Sequence, residues 1–419
     1  MKVFFCAAFF LMGSLFCPLA SDWLLVPMNQ RQTDHLRAYG LVYFALENSL
    51  RVDWLLNFQG GSFLMSRTDI IEIQAALYGV RTELVSDAER ARILNQIESE
   101  NAAVMPLERA PKIAVYTTPS SDPWDDAVTL VMEYAKVPYA KIWNTEVLAG
   151  KHFEYDWLHL HHEDFSGQYG KFYRTFKDAP WYVKKVQQFR EMATASGFSS
   201  VSEWFAQVSL NLRDYVYKGG YLFAMCSATD SLDVALAAAG LDIVDSRIDG
   251  TPITPNFENS LDFSRTFAFH NFEIITDPMI YEFSNIDVSR YEHRMTPERE
   301  DFTLFEFSAK FDPIPTMLTQ NHVNRVRGFL GQTTAFDGNL LKPSVIRLGK
   351  VVDGDVFKYL HGKVGQGTFT FFGGHDPEDF SHAVEDPPTD LRLHKNSPGY
   401  RLILNNVLFP AARPKPRKT

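Results

Sequence analysis

The segment KGGYLFAMCSATD, residues 218–230, is the part of the sequence that decides the fold. Two glycines end the helix predicted before it, five apolar residues follow without a charge, and Cys226 comes next. A short apolar run that begins at glycine is typical of a buried strand, and Thr229 or Asp230 can cap the helix predicted after it. Cys226 is therefore expected on a strand-to-helix turn at the carboxyl edge of a parallel sheet. Open α/β folds bind ligands at this edge, and a helix N-terminus there can stabilise a thiolate.

The first 21 residues have the order of a Sec-type signal peptide. Lys2 precedes an uncharged apolar run, residues 3–16, and small residues follow it. This order predicts cleavage after Ala20 or Ser21 and a chain exported to the periplasm or the cell exterior. The apolar run is too short to span a membrane comfortably, so no transmembrane segment is expected after cleavage.

The three cysteines of the sequence divide unequally between the predicted signal and the mature chain. Cys6 and Cys17 lie in the signal, which leaves Cys226 alone. A lone thiol forms no internal disulfide, so the fold must depend on its hydrophobic core. A single cysteine in an exported protein indicates a reactive residue, and the alternative interpretation is a small buried apolar side chain.

The composition indicates a large globular protein. The chain has 419 residues, of which 45% are hydrophobic and 14% aromatic, and its net charge is −10. An acidic chain is a poor candidate for binding nucleic acid. The expected organisation is a signal peptide (1–21), an N-terminal α/β unit (22–108), an α/β core in two parts (109–245 and 351–410), a mixed β-rich insertion (246–350) and a basic tail (411–419).

Histidines and carboxylates cluster in the sequence HLHHED, residues 159–164. If a strand ends here, alternate residues share one face and the last ones emerge at its carboxyl end. Such side chains can bind zinc or iron, act as a base with its orienting partner, or simply form a polar strand end. The candidate metal ligands are His159, His161 and Glu163, and the candidate substrate-binding residues are His161, His162, Glu163 and Asp164.

The last predicted strand ends in GGHDPED, residues 373–379. The glycines permit a sharp exit from the strand, so His375 is expected beyond its carboxyl end. A cysteine on one strand end and a histidine beside carboxylates on another form the Cys-His-carboxylate arrangement of nucleophilic catalysis. Cys226 is the predicted nucleophile, His375 the predicted base, and Asp376 or Glu378 the carboxylate that orients it.

Residues 112–409 resemble the class I glutamine amidotransferase-like group, which has a flavodoxin-type fold, and within it the ThuA-like branch. The amidotransferases carry a G-x-C-x-G elbow and a late H-x-E motif. The corresponding stretches here are AMCSA, residues 224–228, and HDPE, residues 375–378. The resemblance implies a flavodoxin-like, mostly parallel three-layer sheet, with Cys226 as nucleophile and His375 as base.

The whole chain is also similar to exported bacterial proteins, mainly from the Bacteroidetes, that are often labelled asparagine synthetase B. ATP-dependent asparagine synthesis is not expected, because Lys2 follows the initiator Met where those synthetases have their nucleophilic cysteine, and no pyrophosphate-binding loop is present. The markers of this similarity are WLLVPM (23–28), WLLN (54–57), the stretch 157–167, MCSATD (225–230) and GGHDPE (373–378).

The leading functional expectation is an exported thiol hydrolase or amidotransferase-like protein that acts on an amide or related acyl bond. The backbone N–H groups of Ser227 and Ala228 would form the oxyanion hole, and no cofactor would be required. One alternative is a metal-dependent hydrolase that uses residues 159–164 and a divalent ion such as zinc. The other is a non-catalytic protein that binds a carbohydrate or cell-envelope partner, and in each case the ligand is a small molecule or a glycan.

Overall fold

The computed structural model describes residues 22–119, 126–288, 301–327, 331–351, 354–379 and 386–413. The predicted signal peptide and most of the predicted basic tail lie outside these ranges. Within the described ranges, no helix combines the length and the apolar character that crossing a membrane requires.

Strands and helices alternate through most of the chain. The strands are β1 (Trp23–Val26), β2 (Val52–Leu56), β3 (Ser62–Ser66), β4 (Glu83–Val85), β5 (Ala103–Leu107), β6 (Ile113–Tyr116), β7 (Ala140–Ile142), β8 (Trp157–Leu160), β9 (Tyr221–Met225), β10 (Phe302–Leu304), β11 (Arg325–Val326), β12 (Phe336–Asp337), β13 (Ile346–Val351), β14 (Val356–Val364) and β15 (Gly367–Phe372). The helices are α1 (His35–Glu47), α2 (Asp69–Tyr78), α3 (Asp87–Ser99), α4 (Ala127–Ala135), α5 (Asn144–Leu148), α6 (Tyr173–Phe176), α7 (Pro180–Ala195), α8 (Val201–Tyr217), α9 (Ala228–Ala237), α10 (Ser246–Asp249), α11 (Pro313–Thr319) and α12 (Pro398–Leu408). Short 3₁₀ turns lie at Lys151–Glu154, Tyr169–Lys171, Phe257–Ser260, Gly338–Leu340 and Phe409–Ala411.

The N-terminal strands form a five-stranded sheet in the order β4-β1-β3-β2-β5. Every neighbouring pair in this sheet is antiparallel. Gly60 makes the reversal between β2 and β3 possible, because its φ is +77° and a Cβ atom there would lie 2.4 Å from the carbonyl oxygen of Met28. The first helix begins after Asp34, whose side chain accepts a hydrogen bond from the backbone N–H of Arg37 and so caps it.

The second sheet has ten strands, nine of them in the order β11-β10-β13-β14-β15-β9-β8-β6-β7, with β12 paired to β14. The five strands from β15 to β7 run parallel to one another. The strands from β14 to β11 continue the sheet in antiparallel fashion.

The predicted flavodoxin-like, mostly parallel sheet is therefore wrong. One sheet is antiparallel throughout, and the other is mixed, because β14 returns in a hairpin onto β15. The region predicted as a mixed β-rich insertion supplies β10, β11 and most of β13 to this same mixed sheet.

Both faces of the parallel strands are covered, as parallel sheets require. In β9, Phe223 and Met225 pack into the core shared with the N-terminal sheet and with α1, α4 and α12. Leu222 and Ala224, on the opposite face, pack into the core formed with α8 and α9. The carboxyl ends of β6, β8, β9 and β15 consequently meet at one edge, and the loops that follow these strands carry the candidate site.

Candidate functional site

Cys226 lies on the turn between β9 and α9, as its sequence context predicts. Its φ is +49°, a left-handed value that is uncommon outside glycine and marks local backbone strain. The turn is held by hydrogen bonds: the Cys226 N–H donates to the carbonyl of Gly374 (3.1 Å), and the Thr229 hydroxyl donates to the carbonyl of Cys226 (2.7 Å). Cys226 is consequently fixed to the loop that carries His375.

The surroundings of the Cys226 thiol favour its protonated form. Burial raises the pKa of Cys226 to about 12, and the carboxylates of Asp230 and Asp287 act in the same direction. The backbone N–H groups of Ser227 and Gln332 oppose this shift in the pKa by hydrogen bonding to the sulfur. At neutral pH the side chain is therefore a thiol, and a nucleophilic role would require a base to remove its proton during attack.

The two predicted oxyanion-hole donors have different partners. The N–H of Ser227 points to the sulfur of Cys226, whereas the N–H of Ala228 donates to the carbonyl of His161 at 2.8 Å. The Ala228 N–H thus joins the start of α9 to the loop after β8.

His375 follows β15 through Gly374, whose φ is +106°, and its side chain is almost fully buried. Its Nδ1 atom lies 3.1 Å from Nε2 of His161, so the structure brings together two of the predicted site residues.

Both carboxylates predicted to orient His375 have other partners. Asp376 accepts hydrogen bonds from the Tyr400 hydroxyl (2.7 Å) and from the backbone N–H of Glu378 (2.8 Å). The carboxylate of Glu378 lies 3.1 Å from Nδ1 of His394. Asp376 thus contacts Tyr400, and Glu378 contacts His394.

Asp126 is the carboxylate that faces the histidines. One of its oxygens lies 3.2 Å from Nε2 of His159, and the other lies 3.5 Å from Nδ1 of His161. Its carboxylate also caps α4 by accepting from the backbone N–H groups of Val128 (2.7 Å) and Thr129 (2.9 Å). Burial raises the pKa of Asp126, whereas the His159 and His161 rings, when they are protonated, hold it well below its usual range.

The sequence did not predict this role of Asp126, because an acidic residue at the start of a helix usually interacts with the helix dipole. Its position in the chain was the available signal: Asp126 lies between β6 and α4, and β6 is the neighbour of β8, which precedes the histidine cluster.

The potential metal ligands form two groups that share His161. His161, His162 and His375 make one group, in which the ligand nitrogens all lie within 4.8 Å of one another. Asp126, His159 and His161 make the other group within the same limit. The pKa of His162 is held well below its usual value by burial and by the neighbouring imidazoles, so its ring is neutral, as a ligand must be.

The carboxylates of Glu163 and Asp164 bond to backbone N–H groups near them in the chain. Glu163, a predicted ligand, accepts a hydrogen bond from the backbone N–H of His161 (3.1 Å), and burial raises its pKa to about 8. Asp164 shapes the turn after it by accepting from the backbone N–H groups of Ser166 (2.7 Å) and Gly170 (2.9 Å).

A narrow pocket opens beside the three-histidine group. Its cavity volume is about 10 Å³, which is room for about one water molecule. The polar residues on its wall include His162, Glu163 and Lys185, and most of the remaining wall is aromatic or aliphatic. The lining consists of Thr118, Trp143, His162, Glu163, Asp164, Gly167, Tyr169, Gly170, Lys185, Phe189, Val201 and Phe205.

Comparisons with known proteins give little information on function. No protein-family model matches the chain, and no curated protein matches it. Among solved structures, the chain is similar to the cytoplasmic protein STM3548 from Salmonella typhimurium, with 11% identity, a TM-score of 0.35 and coverage of 72% of this chain and 100% of that one. It is also similar to the cytoplasmic protein STM1381 from Salmonella typhimurium LT2, with 12% identity, a TM-score of 0.37 and the same two coverages. Likeness at this level carries no functional argument.

Proposed function

We propose that this chain is an exported, divalent-metal-dependent hydrolase that acts on an amide or related acyl bond of a small molecule or glycan. The observation that carries the proposal is the convergence of the His161, His162 and His375 rings beside the pocket. Three histidines with an open fourth position are one of the ligand sets of catalytic zinc.

The spacing of the nitrogens fits this ion. Tetrahedral zinc with zinc–nitrogen distances of about 2.0–2.1 Å places neighbouring ligand atoms about 3.3 Å apart. Nε2 of His161 and Nδ1 of His375 are separated by 3.1 Å and form a hydrogen bond with each other. An ion would replace the proton of this hydrogen bond, and both rings would have to turn so that their nitrogens point at the ion.

The chemistry follows from the residues around this group. A divalent ion at the three histidines would polarise the oxygen of the scissile carbonyl. Glu163 lines the pocket with His162, and we assign it the proton transfers. Above its raised pKa of about 8, Glu163 is ionised, and its carboxylate would then take a water proton as the water oxygen bonds to the carbonyl carbon. It would return that proton to the leaving nitrogen as the carbon–nitrogen bond breaks.

The test measures metal content and hydrolysis together. We expect the purified protein to bind zinc, to lose hydrolysis of chromogenic amides and esters on chelation, and to regain it when zinc is restored. His162→Gln should lower zinc affinity at least tenfold, whereas the control His361→Gln, at a buried histidine on β14, should not. A protein that binds no zinc at micromolar concentration would contradict the proposal.

A thiol hydrolase is the second candidate, and the strained φ of Cys226 is the observation that favours it. In that mechanism His375 would remove the thiol proton as the sulfur attacks the carbonyl carbon. The two candidates predict opposite results for Cys226→Ala: activity is abolished if the thiol is the nucleophile and retained if the metal site performs the reaction.

A further inference from the structure

We propose that Asp126, His159 and His161 form a second divalent-cation site, joined to the first through the two nitrogens of the His161 ring. This site goes beyond the proposed hydrolase, with which it shares only His161. Two histidines and one carboxylate are ligands used by zinc and by other first-row divalent metals.

The argument begins with the hydrogen bond on the far side of the His159 ring. Nδ1 of His159 lies 3.1 Å from the carbonyl oxygen of Phe223, which can only accept. Nδ1 therefore carries the proton, and in the neutral ring Nε2 has a free lone pair. That lone pair faces an oxygen of Asp126 at 3.2 Å. Two lone pairs at this distance repel each other unless a proton or a cation lies between them.

The direction of these contacts favours a cation. Nε2 of His159 and Nδ1 of His161 are buried, and neither has a hydrogen-bond partner among the described residues. Their distances to the Asp126 oxygens are nevertheless only 3.2 and 3.5 Å. Two ligand atoms that point at one ion also lie close together without forming a hydrogen bond to each other. Around zinc, neighbouring ligand atoms are about 3.3 Å apart.

The surrounding protein orients His159 and buries both histidines, as is common in metal sites. A metal-binding histidine usually donates its other ring N–H to a protein acceptor, which fixes the ring orientation. His159 does so to the Phe223 carbonyl. The side chains of His159 and His161 are both fully buried, so an ion between them would be shielded from water on the protein side.

Binding of ions at both sites requires His161 to lose a proton. His161 would bind one ion through Nε2 and the other through Nδ1, and each nitrogen must offer a lone pair. The ring must therefore lose its remaining proton to solvent when the second ion binds. Zinc binding should thus release one proton from His161 in addition to those released by other ligands.

The experiment is a zinc titration of the full chain, with bound zinc measured by elemental analysis after gel filtration. We expect two equivalents of zinc for the wild type and one for Asp126→Asn. Asparagine is as good a helix N-cap as aspartate, so this variant keeps the start of α4. His159→Gln is the second variant, and it should also retain one equivalent, because glutamine can still donate to the Phe223 carbonyl.

The variants distinguish the two proposals. If the wild type binds one equivalent that Asp126→Asn keeps and His162→Gln loses, the second site is overturned and the hydrolase site stands. If the single equivalent is lost in Asp126→Asn and kept in His162→Gln, the hydrolase site fails and the second site stands. No binding by the wild type overturns both, and it would mean that a proton occupies the space between His159 and Asp126.

Discussion

Nε2 of His161 lies 3.1 Å from Nδ1 of His375, although the strands that carry these residues are separated by β9 in the sheet. The turn at the end of β9 is bonded to both loops, since the Ala228 N–H donates to the His161 carbonyl and the Cys226 N–H donates to the Gly374 carbonyl. The backbone around Cys226 therefore holds the two imidazoles in position. This gives the strained turn a structural function whether or not its thiol reacts.

The first prediction concerns the reactivity of Cys226. Burial raises the pKa of its thiol to about 12, so the thiolate fraction at pH 7.5 should be negligible. We expect iodoacetamide to leave the native protein unlabelled for hours at this pH and to label it readily in urea, with mass spectrometry as the readout. Rapid labelling of the native protein at neutral pH would instead indicate an activated thiol and favour the second candidate function.

The second prediction concerns Gly331, which packs against His375. A Cβ atom at Gly331 would lie 2.6 Å from Cβ of His375. Gly331→Ala should therefore push the imidazole away from His161 and weaken zinc binding at the three histidines at least tenfold in a competition titration.

Gly79→Ala is the matched control: its φ is also positive, but no atom lies within 4 Å of the added Cβ. It should cost about 1–2 kcal/mol of stability, because alanine is strained at a left-handed φ, and leave zinc affinity unchanged. Equal zinc affinities for the two variants would show that Gly331 does not position the ring.

The third prediction concerns His361 on β14, whose Nδ1 lies 3.0 Å from the Thr370 hydroxyl. Burial lowers its pKa from 6.5 to about 4. Between these pH values the unfolded chain binds a proton that the folded chain does not, so stability rises with pH through this window and falls on acidification. The contribution of His361 is about 1.4 kcal/mol per pH unit, or about 3 kcal/mol in total.

His361→Gln removes this proton-binding difference, so its free energy of unfolding should vary less between pH 6.5 and 4 than that of the wild type. Urea titrations at a series of pH values measure both slopes. Identical slopes for wild type and His361→Gln would contradict a neutral, buried imidazole.

Much of the local structure follows from the sequence. The apolar run before Cys226 and the helix-forming residues after it predict the strand, the turn and α9. The alternation in residues 157–161 predicts that His159, in β8, and His161, directly after β8, point to the same side, and both lie close to Asp126. These features depend on residues that are neighbours in the sequence, and the periodicity of apolar residues is therefore sufficient to predict them.

The direction of the strands and the identity of the acidic partner could not be predicted in this way. Pairing of β14 with β13, and of β13 with β10, joins distant segments, and a strand of three residues such as β10 has too little periodicity to identify. Asp126 has the local pattern of an ordinary N-cap residue, and it is also a cap. Only the packing of β6 beside β8 shows that its carboxylate also faces two imidazoles.

The last prediction links zinc to stability. An ion that binds only the folded chain stabilises it by about 2.7 kcal/mol at a free concentration one hundred times its dissociation constant. Zinc should therefore raise the urea midpoint of the wild type, followed by tryptophan fluorescence, and a chelator should reverse the increase. His162→Gln should show a smaller increase at the same free zinc concentration, because it loses a ligand of the three-histidine group.

The control is Cys226→Ser, which has no thiol that could bind zinc in the unfolded state, and its urea midpoint should respond to zinc as that of the wild type does. A wild-type midpoint that is independent of zinc would show that the folded chain has no preferred site for the ion, and the histidines would then have to be interpreted as a buried hydrogen-bonded network.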